Sequence, residues 1–425
     1  MSNKTIGNIF KGDKVIWMVF FFLCMISIIE VYSASSTLSY KSGNFMAPVI
    51  RHILILAFGV FVMICMLKVK CKYFKIVTPF MILFSLAMLG WVILAGQSTN
   101  GASRWINFIG IQFQPSEIAK GTLVLAVAQI LSAMQSENGA DKRAFKYTLT
   151  ISGIMIFPIM LENMSTAILL GITIFFMMFI GRVPGKLIGK LLGVAMLVVV
   201  FFISTVLLVG KDESKEKQAS ETFTEQVTTQ PEKKSTVQKM FHRLDTWKAR
   251  IDHFFDTTPV APEDVDLDKD AQVAHANIAI ASSNLMGKGP GNSVERDFLS
   301  QAFSDFIYAI IIEEMGVIGG FFVALLYIIL LFRTGRIANR CENNFPAFFA
   351  MGLAILLVTQ ALFNMAVAVG LAPVTGQPLP LISRGGTSSV INCMYVGIIL
   401  SISRTAKKKE PTEDCLLYTS PSPRD

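Results

Sequence analysis

The stretch Ser304-Asp-Phe-Ile-Tyr-Ala-Ile-Ile-Ile-Glu-Glu-Met-Gly316 opens an apolar run that ends near Phe332. At about 1.5 Å per residue such a run is long enough to cross a bilayer core of about 30 Å. Asp305 stands at its mouth. A carboxylate at the lip of a membrane helix is costly unless paired or solvated, which favours a functional site. The plainer alternative is a helix cap, with Ser304 or Asp305 accepting from the free N–H groups of the first turn. On these residues alone the two readings stand level. Immediately upstream, Gly287-Lys-Gly-Pro-Gly-Asn-Ser293 is a glycine-rich turn.

Working outward, similar runs recur along the whole chain of 425 residues, 52% of them hydrophobic and 33 of them phenylalanine. This excludes an ordinary soluble domain and places the protein in the polytopic, all-helical membrane class. Ten spans are expected, at 15–35, 52–67, 76–96, 117–134, 147–162, 164–181, 187–209, 305–332, 347–370 and 388–403. The first is too long for a signal-peptide core and lacks a clear cleavage site, so it reads as a retained span. The net charge of +8 is not a nucleic-acid signal, because the cations fall in short clusters between spans. Those at Lys4–Lys14, Lys68–Lys75, Lys142–Lys146, Arg182–Lys190, Arg333–Arg340 and Arg404–Lys409 hold twenty basic residues. The alternate short connections hold four: Lys41, Arg51, Arg104 and Arg384. That asymmetry places both termini in the cytoplasm. Six cysteines show no metal-binding spacing and read as apolar filler.

The long outer segment between spans seven and eight, 210–304, is not uniform. Residues 211–239 are rich in Lys, Glu, Gln, Ser and Thr and read as a solvated insertion. From Met240 to Asp256 apolar residues return at helical spacing with flanking cations, as in a helix lying on a membrane surface. Residues 257–270 read as acidic loop, and Gln272–Leu285 as a second short helix. The last twelve residues, 414–425, differ in character from the basic tail and are excluded as a non-native scar.

Three outer elements carry polar chemistry. In 100–120, Arg104 and Trp105 precede Pro115-Ser-Glu117, a helix start that sets Glu117 and Lys120 one turn apart, either as a structural ion pair or as one wall of a polar cavity. Near the turn 287–293, Glu313 and Glu314 lie roughly two helical turns beyond Asp305, so one must face inward, to a partner such as Lys120 or to a polar cavity. In 373–388, prolines exclude regular helix while glycines and hydroxyls let N–H groups converge on an anion. With Arg384 this is a phosphate-contacting rim or, equally, a packed re-entrant turn. Glu162-Asn163 reads as a surface turn, and Glu30 as facing the bundle. No Walker loop, nucleophile elbow or His–Glu zinc motif occurs. The pattern suits a lipid-anchored pyrophosphate presenting a sugar to an acid–base group.

The chain resembles the SEDS (shape, elongation, division and sporulation) family of peptidoglycan polymerases. The likeness rests on Tyr32-Ser-Ala-Ser35, Arg104-Trp105, Gln114-Pro-Ser-Glu117 with Lys120, Gly287-x-Gly-x-Gly-Asn-Ser293, Ser304-Asp-Phe-Ile-Tyr308, Glu313-Glu-x-Gly316 and Pro373-x-Thr-Gly-x-Pro-Leu-Pro-Leu-Ile-Ser-x-Gly-Gly-x-Ser388. It extends in order over residues 15–404 and leans to the cell-division branch over the elongation branch. The resemblance implies a glycosyltransferase that polymerises lipid II at the outer leaflet of the bacterial cytoplasmic membrane, at the septum, releasing undecaprenyl pyrophosphate. It implies Asp305 as general base, acting directly or with a divalent cation (Mg or Mn). Arg104, Trp105, Glu117, Lys120, Lys288, Asn292, Ser293, Ser383 and Arg384 would line the substrate cavity. The implied partners are a class B penicillin-binding transpeptidase and other divisome membrane proteins. A lipid II flippase that makes no glycosidic bond is the competing reading, because inward charges also suit a carrier. Three departures stand out: Asn163 where the family often has an acid, Arg384 where tyrosine is common, and the insertion 211–239.

Overall fold

A chain this apolar satisfies its backbone hydrogen bonds within segments, and helices follow wherever the runs occur. The computed structural model describes residues 11–34, 46–95, 97–99, 102–108, 111–137, 139–209, 271–299 and 304–406. The helices are α1 (Lys14–Ala34), α2 (Ala47–Lys68), α3 (Cys71–Ala95), α4 (Pro115–Ala133), α5 (Lys142–Glu162), α6 (Met164–Ile180), α7 (Gly185–Val209), α8 (Ala271–Ala281), α9 (Ile307–Ala338), α10 (Asn344–Ala368) and α11 (Thr387–Thr405). All except α8 coincide with an expected span. Among the described residues seven are long and apolar enough to cross a membrane: α1 to α5, α9 and α10. The protein is a polytopic helical membrane protein. The insertion 211–239, the surface helix at 240–256, the loop 257–270 and the scar 414–425 lie outside the described residues.

Local chemistry sets the helix ends. Pro115 occupies the first turn of α4, where its missing N–H costs nothing, and Glu117 meets the positive end of the helix. Asp141 caps α5 by accepting from Arg143 N at 2.9 Å. The runs at 52–67 and 388–403 lengthen to Ala47–Lys68 and Thr387–Thr405, because the backbone ladder continues past the last apolar residue.

The all-helical expectation misses a small antiparallel sheet, β1 (Gln97–Thr99), β2 (Ala102–Phe108) and β3 (Ile111–Phe113), in the order β1-β2-β3. Ile106 pairs with Phe113 and Phe108 with Ile111, so two residues join β2 to β3 as in a tight hairpin. A second, two-stranded sheet, β4 (Gln135–Ser136) and β5 (Gly139–Ala140), joins α4 to α5.

In lipid, helices associate through close packing of small residues rather than through the hydrophobic effect. α2 and α11 illustrate this: a Cβ on Gly397 would lie 2.6 Å from the Met63 carbonyl oxygen, and one on Gly59 would lie 2.8 Å from Cys393 Sγ. α4, α10 and α11 form the buried centre, with Leu123, Leu353 and Ile399 fully buried. The apolar residues of α7 from Leu192 to Phe201, by contrast, are exposed, as lipid contact requires.

Candidate functional site

Asp305 is half-buried and immediately precedes Phe306, the cap residue of α9. Phe306 itself supplies no side-chain cap to that helix. Ser304 Oγ donates to Asp305 Oδ1 at 3.0 Å. The backbone at this point is held from two other elements. Asn364 Nδ2 of α10 donates to Asp305 O at 2.8 Å, and Ser383 Oγ donates to Ser304 O at 2.5 Å.

Asn364 belongs to a buried polar ladder across the centre of the bundle. Its Nδ2 also reaches Gln377 O at 2.7 Å, and Gln377 Nε2 donates to Thr166 Oγ1 at 2.9 Å. One turn earlier on α10, Gln360 Nε2 donates to Pro378 O at 3.0 Å, while its Oε1 accepts from Lys120 Nζ at 2.8 Å. Lys120 in turn pairs with Glu117 at 2.9 Å, both groups being buried. The structure thus brings Glu117 and Lys120 together as an ion pair and ties them to the broken segment 373–386. Asn163 caps α6 by accepting from Thr166 N at 3.3 Å, a role an amide fills as well as an acid. Glu162, expected on a surface turn, is buried.

Segment 373–386 is anchored throughout. Tyr327 hydroxyl donates to Pro380 O, and Ser27 Oγ donates to Ile382 O at 2.6 Å while lying 2.9 Å from His52 Nε2. Leu381 takes a left-handed φ of 68°, costly for a leucine and held by this surrounding structure. Ser383 Oγ accepts from Leu379 N at 2.8 Å besides holding Ser304, so it connects the segment to the acid's backbone. Arg384 is half-buried in the same segment. Burial first, and Arg51 second, press its pKa below the ordinary guanidinium value. Two cations acting on each other in a partly desolvated rim are relieved by an anion.

The glycine-rich turn engages the two glutamates after Asp305. Lys288 Nζ pairs with Glu313 at 2.6 Å, Ser293 Oγ donates to Glu313 Oε2, and Gly291 N donates to Glu314 Oε2 at 3.0 Å. The backbones interlock as well, Lys288 N with Glu313 O at 2.9 Å and Gly289 N with Glu314 O at 2.8 Å. Gly316, at φ 74° and ψ −179°, breaks α9 here, and a Cβ on it would lie 2.3 Å from Leu285 O. Both glutamates face inward, as expected, but their partner is this turn, not Lys120. Asn292 is exposed and donates to Lys288 O at 3.0 Å. Arg104 and Trp105 lie on β2, their side chains outside the described set. Sequence reasoning missed Gln360 and Asn364. Their signal was two amides four residues apart in an otherwise apolar run.

Among the described residues no group of three His, Cys, Asp or Glu side chains could hold a metal ion.

The family model FTSW_RODA_SPOVE, described as "Cell cycle protein", matches residues 13–408. The chain belongs to this family. Among FTSW_RODA_SPOVE relatives, it is 27% identical over 397 residues to a "Probable peptidoglycan glycosyltransferase FtsW" of Coxiella burnetii, covering 91% of this chain and 95% of the relative. It is 26% identical over 409 residues to "Peptidoglycan glycosyltransferase MrdB" of Escherichia coli K12, covering 94% and 96%. A chain from the solved structure "Structural coordination of polymerization and crosslinking by a peptidoglycan synthase complex" superposes with a TM-score of 0.65 at 21% identity, covering 92% of this chain and 98% of that one. The last likeness establishes the fold.

Proposed function

We propose that this protein is a peptidoglycan glycosyltransferase that polymerises lipid II at the outer leaflet of the cytoplasmic membrane during division. The observation that carries the reading is the mounting of Asp305: a half-buried carboxylate whose backbone is fixed by Asn364 and Ser383. A general base needs this combination of access and fixed aim.

In the reaction, Asp305 accepts the proton of the GlcNAc 4-hydroxyl of an incoming lipid II. The oxygen forms a bond to the anomeric carbon of the growing strand as that carbon's bond to the pyrophosphate oxygen breaks. Undecaprenyl pyrophosphate leaves with the electron pair, and Asp305 returns its proton to water. Arg384, acting with Arg51 on the rim, stabilises the departing charge. Arg104, Trp105, Lys288, Asn292 and Ser293 belong to the walls that receive the headgroups.

The proposed topology has ten spans, both termini in the cytoplasm and the segment 210–304 outside. It rests on ten helices of at least 17 residues and on the alternation of basic clusters. A class B penicillin-binding transpeptidase is the proposed partner, and the septum the proposed location.

The test is extension of labelled lipid II by the purified protein with its transpeptidase. Asp305→Asn should abolish polymer, a loss of at least ~10²-fold, with unfolding temperature and partner binding unchanged. Polymer made by the variant would overturn the assignment. Polymerisation in detergent, where there is no leaflet to cross, separates a polymerase from a flippase.

A further inference from the structure

At the end of α9 remote from Asp305, three connections (α4–α5, α6–α7 and α9–α10) and the first turns of α10 border an open cavity of about 580 Å³. Its lining divides by chemistry. Gln135, Arg182 and Asn344 stand on the polar side, while Ile180, Phe348 and Met351 make the apolar side. The cavity therefore has a polar mouth and an apolar floor formed by Ile180, Phe348 and Met351.

The backbone at Arg182 shows that this residue is placed there at a conformational cost. Arg182 adopts φ 53°, in the left-handed region that disfavours any residue with a Cβ. Its neighbour Gly181, which takes that conformation without penalty, sits instead at φ −68°. The hairpin β4–β5 clamps the turn: Ala140 N donates to Arg182 O at 3.2 Å, and a Cβ on Gly139 would lie 2.5 Å from the same oxygen. The surrounding ends carry Lys142, Arg143, Lys186, Arg336 and Arg340. The acids at this end include Asp13, Glu137, Asp141 and Glu342; Asp13 pairs with Arg333 at 2.8 Å and Asp141 is engaged in capping α5. The mouth is electropositive, at the boundary where spanning helices meet headgroups.

We propose that this cavity binds an anionic phospholipid, with the phosphate against Arg182 and Asn344 and the glycerol and upper acyl chain against Ile180, Phe348 and Met351. A free anion would leave the apolar floor unfilled, and a zwitterionic lipid would forfeit the field of the surrounding cations. The proposal requires only that these helices span a membrane. It is independent of the polymerase reading and can fail separately from it.

The experiment uses the delipidated full-length protein in detergent, with unfolding temperature followed against dioctanoyl phosphatidylglycerol, dioctanoyl phosphatidylcholine and inorganic phosphate. Phosphatidylglycerol should raise the unfolding temperature saturably by roughly a few degrees, and the other two should not. Arg182→Asn, which tolerates the left-handed backbone, should weaken the response roughly tenfold, the scale of one charged hydrogen bond. Arg182→Gly should weaken it equally while raising the lipid-free unfolding temperature, because the strained backbone relaxes. Met351→Trp, approaching from the apolar side, should abolish the response without touching a charge. The proposal is overturned by an equal response to phosphatidylcholine, by a full response to phosphate alone, or by an undiminished response in Met351→Trp or in whichever Arg182 variant folds.

Discussion

Lys120 is a fully buried cation whose ammonium contacts Glu117 and Gln360. Taking one partner away leaves the other charge buried and unpaired, which costs far more than the pair's own net stabilisation. Lys120→Met should therefore destabilise the fold by about 3–5 kcal/mol. Adding Glu117→Gln to it should recover most of the loss, because two neutral groups of similar volume replace two charges. Thermal unfolding of the single and double variants in one detergent checks this, and strict additivity would show that the groups do not interact. The chemistry of this scale was only half legible in sequence. The spacing of Glu117 and Lys120 announced a pair. Nothing in the composition showed that Gln360 and Asn364, in a different span, would connect that pair to the backbone of Asp305, since such contacts depend on how helices cross. Nor did the sequence show that Lys288 and Ser293, both assigned to the substrate cavity by the family resemblance, would also contact Glu313.

At the level of elements, apolar runs located the ten long helices of the described residues to within about six residues at either end, because in lipid length and hydropathy decide where a helix stands. The interruption of α9 was not legible, since Met315-Gly-Val317 reads as continuous apolar sequence. The strand pair in 102–113 was overlooked although Asn107-Phe-Ile-Gly-Ile-Gln-Phe113 places an Xaa-Gly turn between short strands. Gly316 has both a left-handed φ and backbone atoms where a side chain would begin. Gly316→Ala should expel the turn at 285–293 from its seat, with a cost of at least ~1–3 kcal/mol. The expected outcome is a lower unfolding temperature together with proteolytic cleavage within 285–299. A variant as stable and as protease-resistant as the parent would show that the break is not required.

For the whole molecule, the arrangement of charge across the bundle predicts orientation. In a variant lacking native cysteines, Leu285→Cys should react with a membrane-impermeant maleimide added to intact spheroplasts. Asn339→Cys should react only after the membrane is opened. Both side chains lie at exposed positions at opposite ends of α9 and its attached turn, so labelling reports sidedness rather than burial. The reverse pattern would invert the topology and place Asp305 in the cytoplasm, away from any outer-leaflet substrate.

The discontinuity at Gly316 has a mechanical corollary. A straight rod would transmit any lean of its lower portion to the residues at its tip. Here the tip is pinned to α10 and to segment 373–386, and Tyr308 hydroxyl ties it across the break to Gly320 O at 3.1 Å. A neighbour that shifts α10 therefore carries the base along with it, whereas one that leans on the shaft of α9 acts on Asp305 only through the clamped break.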